Sequence, residues 1–387
     1  MSICTRRSWR AAAVVATIVA AVTLPAAGAS AAPAPAAADT TGNARGTSQV
    51  SATALAAGRA AFGADATKAE ALAAYWTPAR MRAAVPADLN PQVRAAAKTY
   101  SATIERQQQA GEKPATNDGP QRSAPGTTGR VGTLTATGRA STQALAGGAI
   151  AAGFVYNPNF AYNTPAAYTQ GKVFFSMGGA GYVCSASIVN SEGADQVWTA
   201  GHCVHGGQGG QWATNWTFVP AYDDDLANPA PYGYWSASYL TSRTAWINSS
   251  DFSQDFGVAV MNTLNGWHIV NYFGGQGITV NKGKSGTFEY AFGYTSYGGY
   301  DGGNVLGCYG STSPEWDLLI TWSQTVQIPC GLNRGASGGP WWTGWNGSWG
   351  YLNGVNSRVD SYASPTVVRT GYFDDDAWSL WTYNRYA

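Results

Sequence analysis

The chain has 387 residues, 45% hydrophobic and only 12% charged, with a formal net charge of +1. That balance hides an asymmetry: residues 1–150 carry 15 Lys and Arg against 7 Asp and Glu, whereas residues 151–387 carry 8 against 15. The acidic C-terminal half lacks the basic clusters that neutralise phosphates, which excludes nucleic acid as a partner, and its charge is opposite to that of the N-terminal half, which favours docking of one on the other.

In chain order, Arg6, Arg7 and Arg10 precede the apolar run Ala11 to Leu24, and small residues come next at Ala29-Ser30-Ala31. This is the layout of a removable export signal over residues 1–31. Arg6-Arg7 leaves a twin-arginine route open beside the general one. The run is too short to span a bilayer and no later segment offers roughly 18 uninterrupted apolar residues. The exported chain is therefore expected to be secreted, without membrane attachment. Loss of the signal removes Cys4 and leaves Cys184, Cys203, Cys308 and Cys330, an even set that points to two disulfides, with three pairings possible. No Cys-x-x-Cys pair or histidine cluster speaks for a metal site, and no cofactor is expected.

From Ala32 to Gly148 the composition favours Ala, Thr, Gly and Pro, with helical islands at Ser51 to Phe62, Lys68 to Ala84 and Pro91 to Ala110. Asn90 caps the last island and Pro91 takes its first position. Residues 111–150 are dense in Gly, Pro, Ser and Thr and read as a linker. An exported disordered spacer is one reading of residues 32–150. The opposed charges favour the other, a propeptide that folds against the acidic C-terminal half. After about Gly153 short runs of strand-forming residues alternate with turn pairs, an all-β signature. Asn265-Gly266, Asn346-Gly347 and Asn353-Gly354 suit tight turns, the last placing a hairpin between Trp349–Leu352 and Val355–Val359. Strands about every ten positions fit one or two packed barrels.

Three strings in this half carry chemistry: Thr199-Ala200-Gly201-His202-Cys203, Asp255-Phe256-Gly257-Val258-Ala259-Val260, and Gly335-Ala336-Ser337-Gly338-Gly339-Pro340. A serine hydroxyl is a poor nucleophile at neutral pH, so it needs an imidazole to take its proton and backbone N–H groups to hold the oxyanion. Glycines around Ser337 permit backbone angles that aim such N–H groups at one point. His205 runs into Gly206-Gly207 without a comparable context, and Asp251 stands among Asn248, Ser249, Ser250 and Ser253 as in a solvated turn.

The order His, Asp, Ser resembles the chymotrypsin-like serine proteases. Ala336 replaces the aspartate that receives the new N-terminal amine in animal digestive members. That makes the pattern similar to the exported bacterial, glutamyl-endopeptidase-like branch, and control by the prosegment takes the place of a trypsin-type switch. The resemblance implies a double six-stranded Greek-key β-barrel over residues 151–387, a catalytic domain preceded by signal (1–31) and propeptide with linker (32–150). It implies catalysis by His202, Asp255 and Ser337, with an oxyanion hole from the N–H groups of Gly335 and Ser337. It also places a bridge on the histidine loop. Cys184 with Cys203 and Cys308 with Cys330 then each close a short loop beside a catalytic segment. The expected molecule is a monomeric secreted zymogen of a serine endopeptidase whose partners are protein or peptide substrates and its own propeptide.

The pocket floor in this family falls on Gly331, with Leu332 and Asn333 next, and no acid there pairs with a substrate Arg or Lys. His202, His205 and His268 all lie upstream of Ser337, so the histidine that meets a glutamyl substrate is missing. Asn353 to Ser357 is expected to add substrate backbone as a β-strand, and Gly331, Leu332, Asn353, Gly354 and Val355 to shape a small or apolar pocket. The alternative from another class is a protease-shaped binder of cell-wall glycans or peptides using Trp341, Trp342, Trp345 and Trp349, although such residues more often fill cores. An esterase with the same three residues is a third reading. Asp223-Asp224-Asp225 and Asp374-Asp375-Asp376 read as solvated loop charge rather than a Ca²⁺ site.

Overall fold

The computed structural model describes residues 41–112, 117–131, 155–315 and 324–387. The chain divides into two compact units, residues 1–35 and 36–387. The first, with all of the expected signal, lies outside the described residues, as do parts of the expected linker.

The N-terminal segment opens with strand β1 (Asn43–Thr47) and helices α1 (Ala52–Phe62) and α2 (Lys68–Tyr75). Ser51 caps α1 by accepting from the Ala54 N–H, and Thr67 with Glu70 forms a capping box on α2. A Cβ at Gly58 would stand 2.6 Å from Ala71 Cα, so glycine is what lets these helices touch. The helical island expected to run to Ala84 breaks at Thr77, which turns extended before Pro78 starts α3 (Pro78–Ala83). Proline has no N–H to continue the ladder and its ring excludes a helical predecessor. Strand β2 (Val85–Pro86), a 3₁₀ turn Ala87–Leu89 and α4 (Pro91–Ala110) come next, the last capped by Asn90 and stopped by Gly111 at φ 68°. Composition alone makes residues 111–150 a linker, yet Arg122–Ala124 (β3) and Thr127–Thr128 (β4) are strands, because open sheet edges elsewhere supply their hydrogen bonds.

The first barrel is closed. Strands β5 (Gln170–Met177), β6 (Ala180–Ile188), β7 (Gln196–Thr199), β8 (Thr214–Pro220), β9 (Trp235–Arg243) and β10 (Gly257–Met261) pair in the order β9-β10-β7-β6-β5-β8, and β8 returns to β9 at Thr217–Ser236. Gly178 and Gly179, both at positive φ, make the β5–β6 turn, and Asn265-Gly266 makes another such turn. Val173, Phe175, Val197, Trp216, Phe218 and Leu240 fill the interior. The second barrel is built from β11 (Gly274–Gly275), β12 (Gly277–Val280), β13 (Phe288–Gly293), β14 (Leu306–Ser311), β15 (Ser313–Pro314), β16 (Thr325–Pro329), β17 (Pro340–Thr343), β18 (Tyr351–Val355), β19 (Arg358–Val359) and β20 (Val367–Gly371). β12, β13, β14, β17 and β18 form a six-stranded sheet with β3 in the order β14-β13-β17-β18-β12-β3, β15, β16, β19 and β20 a four-stranded one in the order β15-β16-β20-β19, and β11 pairs with β4. Ala291, Leu306 and Trp341 of the first meet Val326, Ile328 and Val368 of the second in one core. The fold is all-β, of the double-barrel chymotrypsin type, with helices concentrated in the N-terminal segment.

Asn353-Gly354 is a correction to the expected turn. Both residues lie inside β18, where the Asn353 amide donates to buried Glu289 and a Cβ at Gly354 would press to 2.8 Å from Thr370. The Asn-Gly pair here answers a packing need rather than a turn. Trp198, Trp216, Trp235, Trp246, Trp341 and Trp342 are fully buried, and Trp345 packs on Phe292 and Tyr290, so most of the aromatic density is core.

The N-terminal segment is stitched to both barrels through main-chain ladders. β1 adds to β9, β2 runs parallel to β6 at Tyr182–Val183, β3 adds to β12 and β4 to β11.

Candidate active site

His202 sits in a 3₁₀ turn, Gly201–Cys203, at the end of β7, and the Cys184–Cys203 disulfide ties that turn to β6. The second bridge, Cys308–Cys330, ties β14 to the end of β16, just before the glycine-rich loop. Asp255 is fully buried at the head of β10. Its Oδ1 accepts the backbone N–H of His202 at 2.8 Å, and its Oδ2 lies 2.8 Å from His202 Nδ1 and accepts the Ser357 hydroxyl at 2.6 Å. This arrangement orients the ring and holds the proton on Nδ1, leaving Nε2 as the basic nitrogen. Nε2 is buried and has no hydrogen-bond partner among the described residues. Burial alone depresses the imidazole. Attraction to Asp255, the hydrogen bond to it and attraction to Asp88 outweigh that, so His202 holds its proton above the ordinary range.

The rival residues stand elsewhere. Asp251 caps the 3₁₀ turn Phe252–Gln254, accepting from the Ser253 N–H and hydroxyl. His205 packs edge-on against Trp212 and accepts from the Gly207 N–H, and burial lowers it to about 4. It is a neutral structural histidine.

Ser337 lies on the loop between β16 and β17, where Gly335 and Gly338 hold φ of 88° and 79°. This loop is locked onto the histidine side of the cleft. The Ser337 carbonyl accepts from the Ser185 N–H at 2.7 Å, and the Ser185 hydroxyl donates to the Gly335 carbonyl at 3.1 Å. A Cβ on Gly338 would fall 2.0 Å from the hydroxyl of Thr199, three residues before His202. Glycine at 338 is therefore what allows the serine loop and the histidine strand to touch. Asn356 completes the clamp, donating to the carbonyls of Ala336 and Phe292 while its own carbonyl accepts the Gly338 N–H.

Beside Ser337 is a cavity of about 10 Å³, room for roughly one water. Leu332, Asn333, Ala336, Arg358, Tyr362 and Val368 are among its walls. Of the residues expected to shape the pocket, Leu332 is among the walls of this cavity, while Gly331, Asn353, Gly354 and Val355 are not. Of the expected substrate strand, Asn356 and Ser357 line the cavity, and Arg358 and Val359 continue that wall. Val355 is wholly buried in the neighbouring core. Arg358 is not a free cation, because both its Nη atoms meet Glu315, with Nη1 to Oε1 at 2.6 Å, and Arg369 Nε reaches the same carboxylate at 3.3 Å.

Two features of the site escape the sequence. Ser357, expected on the substrate strand, also orients Asp255. Asp88, from the 3₁₀ turn of the N-terminal segment, enters the cavity and accepts the Gly335 N–H at 3.3 Å. The one sequence signal for it is an isolated acid in a basic segment.

No protein-family model matches the chain, and no curated protein does. Among solved structures it is similar to the protease Anisep from Arthrobacter nicotinovorans, at 34% identity and TM-score 0.53 over 57% of this chain and 97% of that one. A thermostable serine protease, AL20, from an extremophilic microorganism is likewise similar at 34% identity and TM-score 0.51, over 57% and 98%. A Glu endopeptidase aligns at 16% identity and TM-score 0.47, over 60% of this chain and 97% of that one.

Proposed function

The chain belongs to the bacterial chymotrypsin-like serine proteases, and from that premise we propose that it is a secreted serine endopeptidase made as a zymogen. The observation that carries this reading is the buried His202–Asp255 pair, with Nε2 of His202 left open beside a serine loop packed directly on its strand.

The Ser337 hydroxyl attacks the carbonyl carbon of a peptide bond as Nε2 of His202 takes its proton. The N–H groups of Gly335 and Ser337 hold the oxygen as it becomes an anion, and Asp255 stabilises the imidazolium. Collapse breaks the C–N bond and the proton passes from Nε2 to the leaving amine. Water, deprotonated by the same nitrogen, then releases the acyl group and restores the hydroxyl. Apolar walls from Leu332, Ala336 and Val368 suit a small or apolar side chain next to the scissile bond. Residues 32–150 act as the propeptide, docked by charge and by added strands, and residues 1–31 as the export signal.

The test is active-site labelling with a fluorophosphonate. Processed wild-type protein is expected to label and Ser337→Ala not to. Absence of labelling in correctly processed wild type would refute the hydrolase in favour of a binder. Turnover of small esters with none of casein would replace the peptidase by an esterase.

A further inference from the structure

The turn Ala87–Leu89 does more than pass near the cleft. Upstream, β2 is fixed to β6; downstream, Gln92 Nε2 donates to the Gln208 carbonyl at 2.7 Å. Ala87 is 1% exposed and packs into the core of the first barrel, and Asp88 is 3% exposed. Between these anchors the Asp88 carboxylate has one oxygen on the Gly335 N–H, the donor assigned above to the oxyanion. Burial raises its carboxyl, and attraction to His202 and, more weakly, to Arg334 opposes that rise. Its other oxygen, Oδ2, is buried with no hydrogen-bond partner among the described residues. An acid seated this way is not there for stability, since an unpaired buried carboxylate oxygen costs free energy.

We propose, on the strength of the peptidase reading, that Asp88 is a built-in inhibitor: its carboxyl group occupies the place that the carboxylate of a hydrolysed product takes, with one oxygen in the oxyanion hole. The ligand class of this site is a carboxylate. It excludes the carbonyl of an incoming peptide from the Gly335 N–H. The group offered to Ser337 is a side-chain carboxylate rather than a main-chain amide, and a carboxylate is a poor electrophile with no amine to expel. The turn therefore blocks the site without being cut at Asp88.

The experiment uses the full-length precursor as wild type, Asp88→Asn and Asp88→Ala, each exposed briefly to a fluorophosphonate, with labelling read at the size of the uncleaved chain. The rate is normalised to the mature enzyme, which has the same sequence in all three. Both variants are expected to label about 10- to 100-fold faster than wild-type precursor, the range for loss of a buried hydrogen-bonded contact. Asp88→Asn, which keeps size and shape, guards against an unfolded turn, and equal thermal midpoints for it and wild type confirm that the segment stays docked. Unchanged labelling of both variants, with normal labelling of mature enzyme, overturns the proposal and leaves the peptidase standing. No labelling of mature enzyme overturns both.

Discussion

In the first barrel the buried carboxylate of Asp255 meets three donors, two from His202 and one from Ser357. The second buries two glutamates that fare differently. Glu315 is gripped by Arg358, Arg369 and the Thr325 hydroxyl. Burial would raise its carboxyl, but Arg358 above all holds it below the usual range. Glu289 has only the Asn353 amide, its Oε2 is unpartnered, and burial pushes it up to about 8. Equal depth thus yields opposite charge states, and the surrounding donors rather than the burial decide which. Asp255 and Glu315, with several donors, orient a histidine or lock strands; Glu289, with its single side-chain donor, is a neutral acid at pH 7.

That contrast can be broken from either side. The largest effect is expected at Asp255→Asn, which keeps the shape and removes the charge behind His202: kcat should fall about 10⁴-fold while the fold persists. A loss below tenfold would remove Asp255 from the proposed role. Next, Glu315→Gln strands Arg358 and Arg369 and should cost about 3–5 kcal/mol in denaturant unfolding. Glu289→Gln goes the other way. An acid whose folded pKa is raised keeps its proton while the unfolded chain gives it up, so its stabilising effect is full below about 4.5 and is lost as pH rises toward 8. Wild type should lose about 3 kcal/mol between pH 4.5 and pH 7 from this group, and Gln should abolish that slope. An identical slope in the variant would show that Glu289 is not the titrating group. The smallest change is expected at Glu192→Gln, whose ion pair with Arg385 is exposed; the unfolding midpoint should not move measurably.

The strings around His202, Asp255 and Ser337 stand out because the proton transfer and oxyanion holding proposed for them demand particular residues in fixed local settings. The cap at Asn90 is readable for the same local reason. The turn expected at Asn353-Gly354 does not form because Glu289 and Thr370, distant in the chain, pack those two residues within a strand. Residues 122–128 look loose in the sequence because their strand character comes from edges 150 or so positions away. The role of Asp88 is invisible there since its meaning depends on Gly335, 247 residues later.

Asp88 is joined by covalent chain to the very loop it contacts, and this connection decides how strong its grip must be. A lone carboxylate need bind only feebly, because a tether supplies a local concentration on the order of millimolar that no competing peptide easily matches. Severing one bond between the segment and the barrels turns a unimolecular contact into a bimolecular one, which dilution into the surrounding medium then weakens. Release becomes a matter of volume rather than of any rearrangement at the catalytic serine.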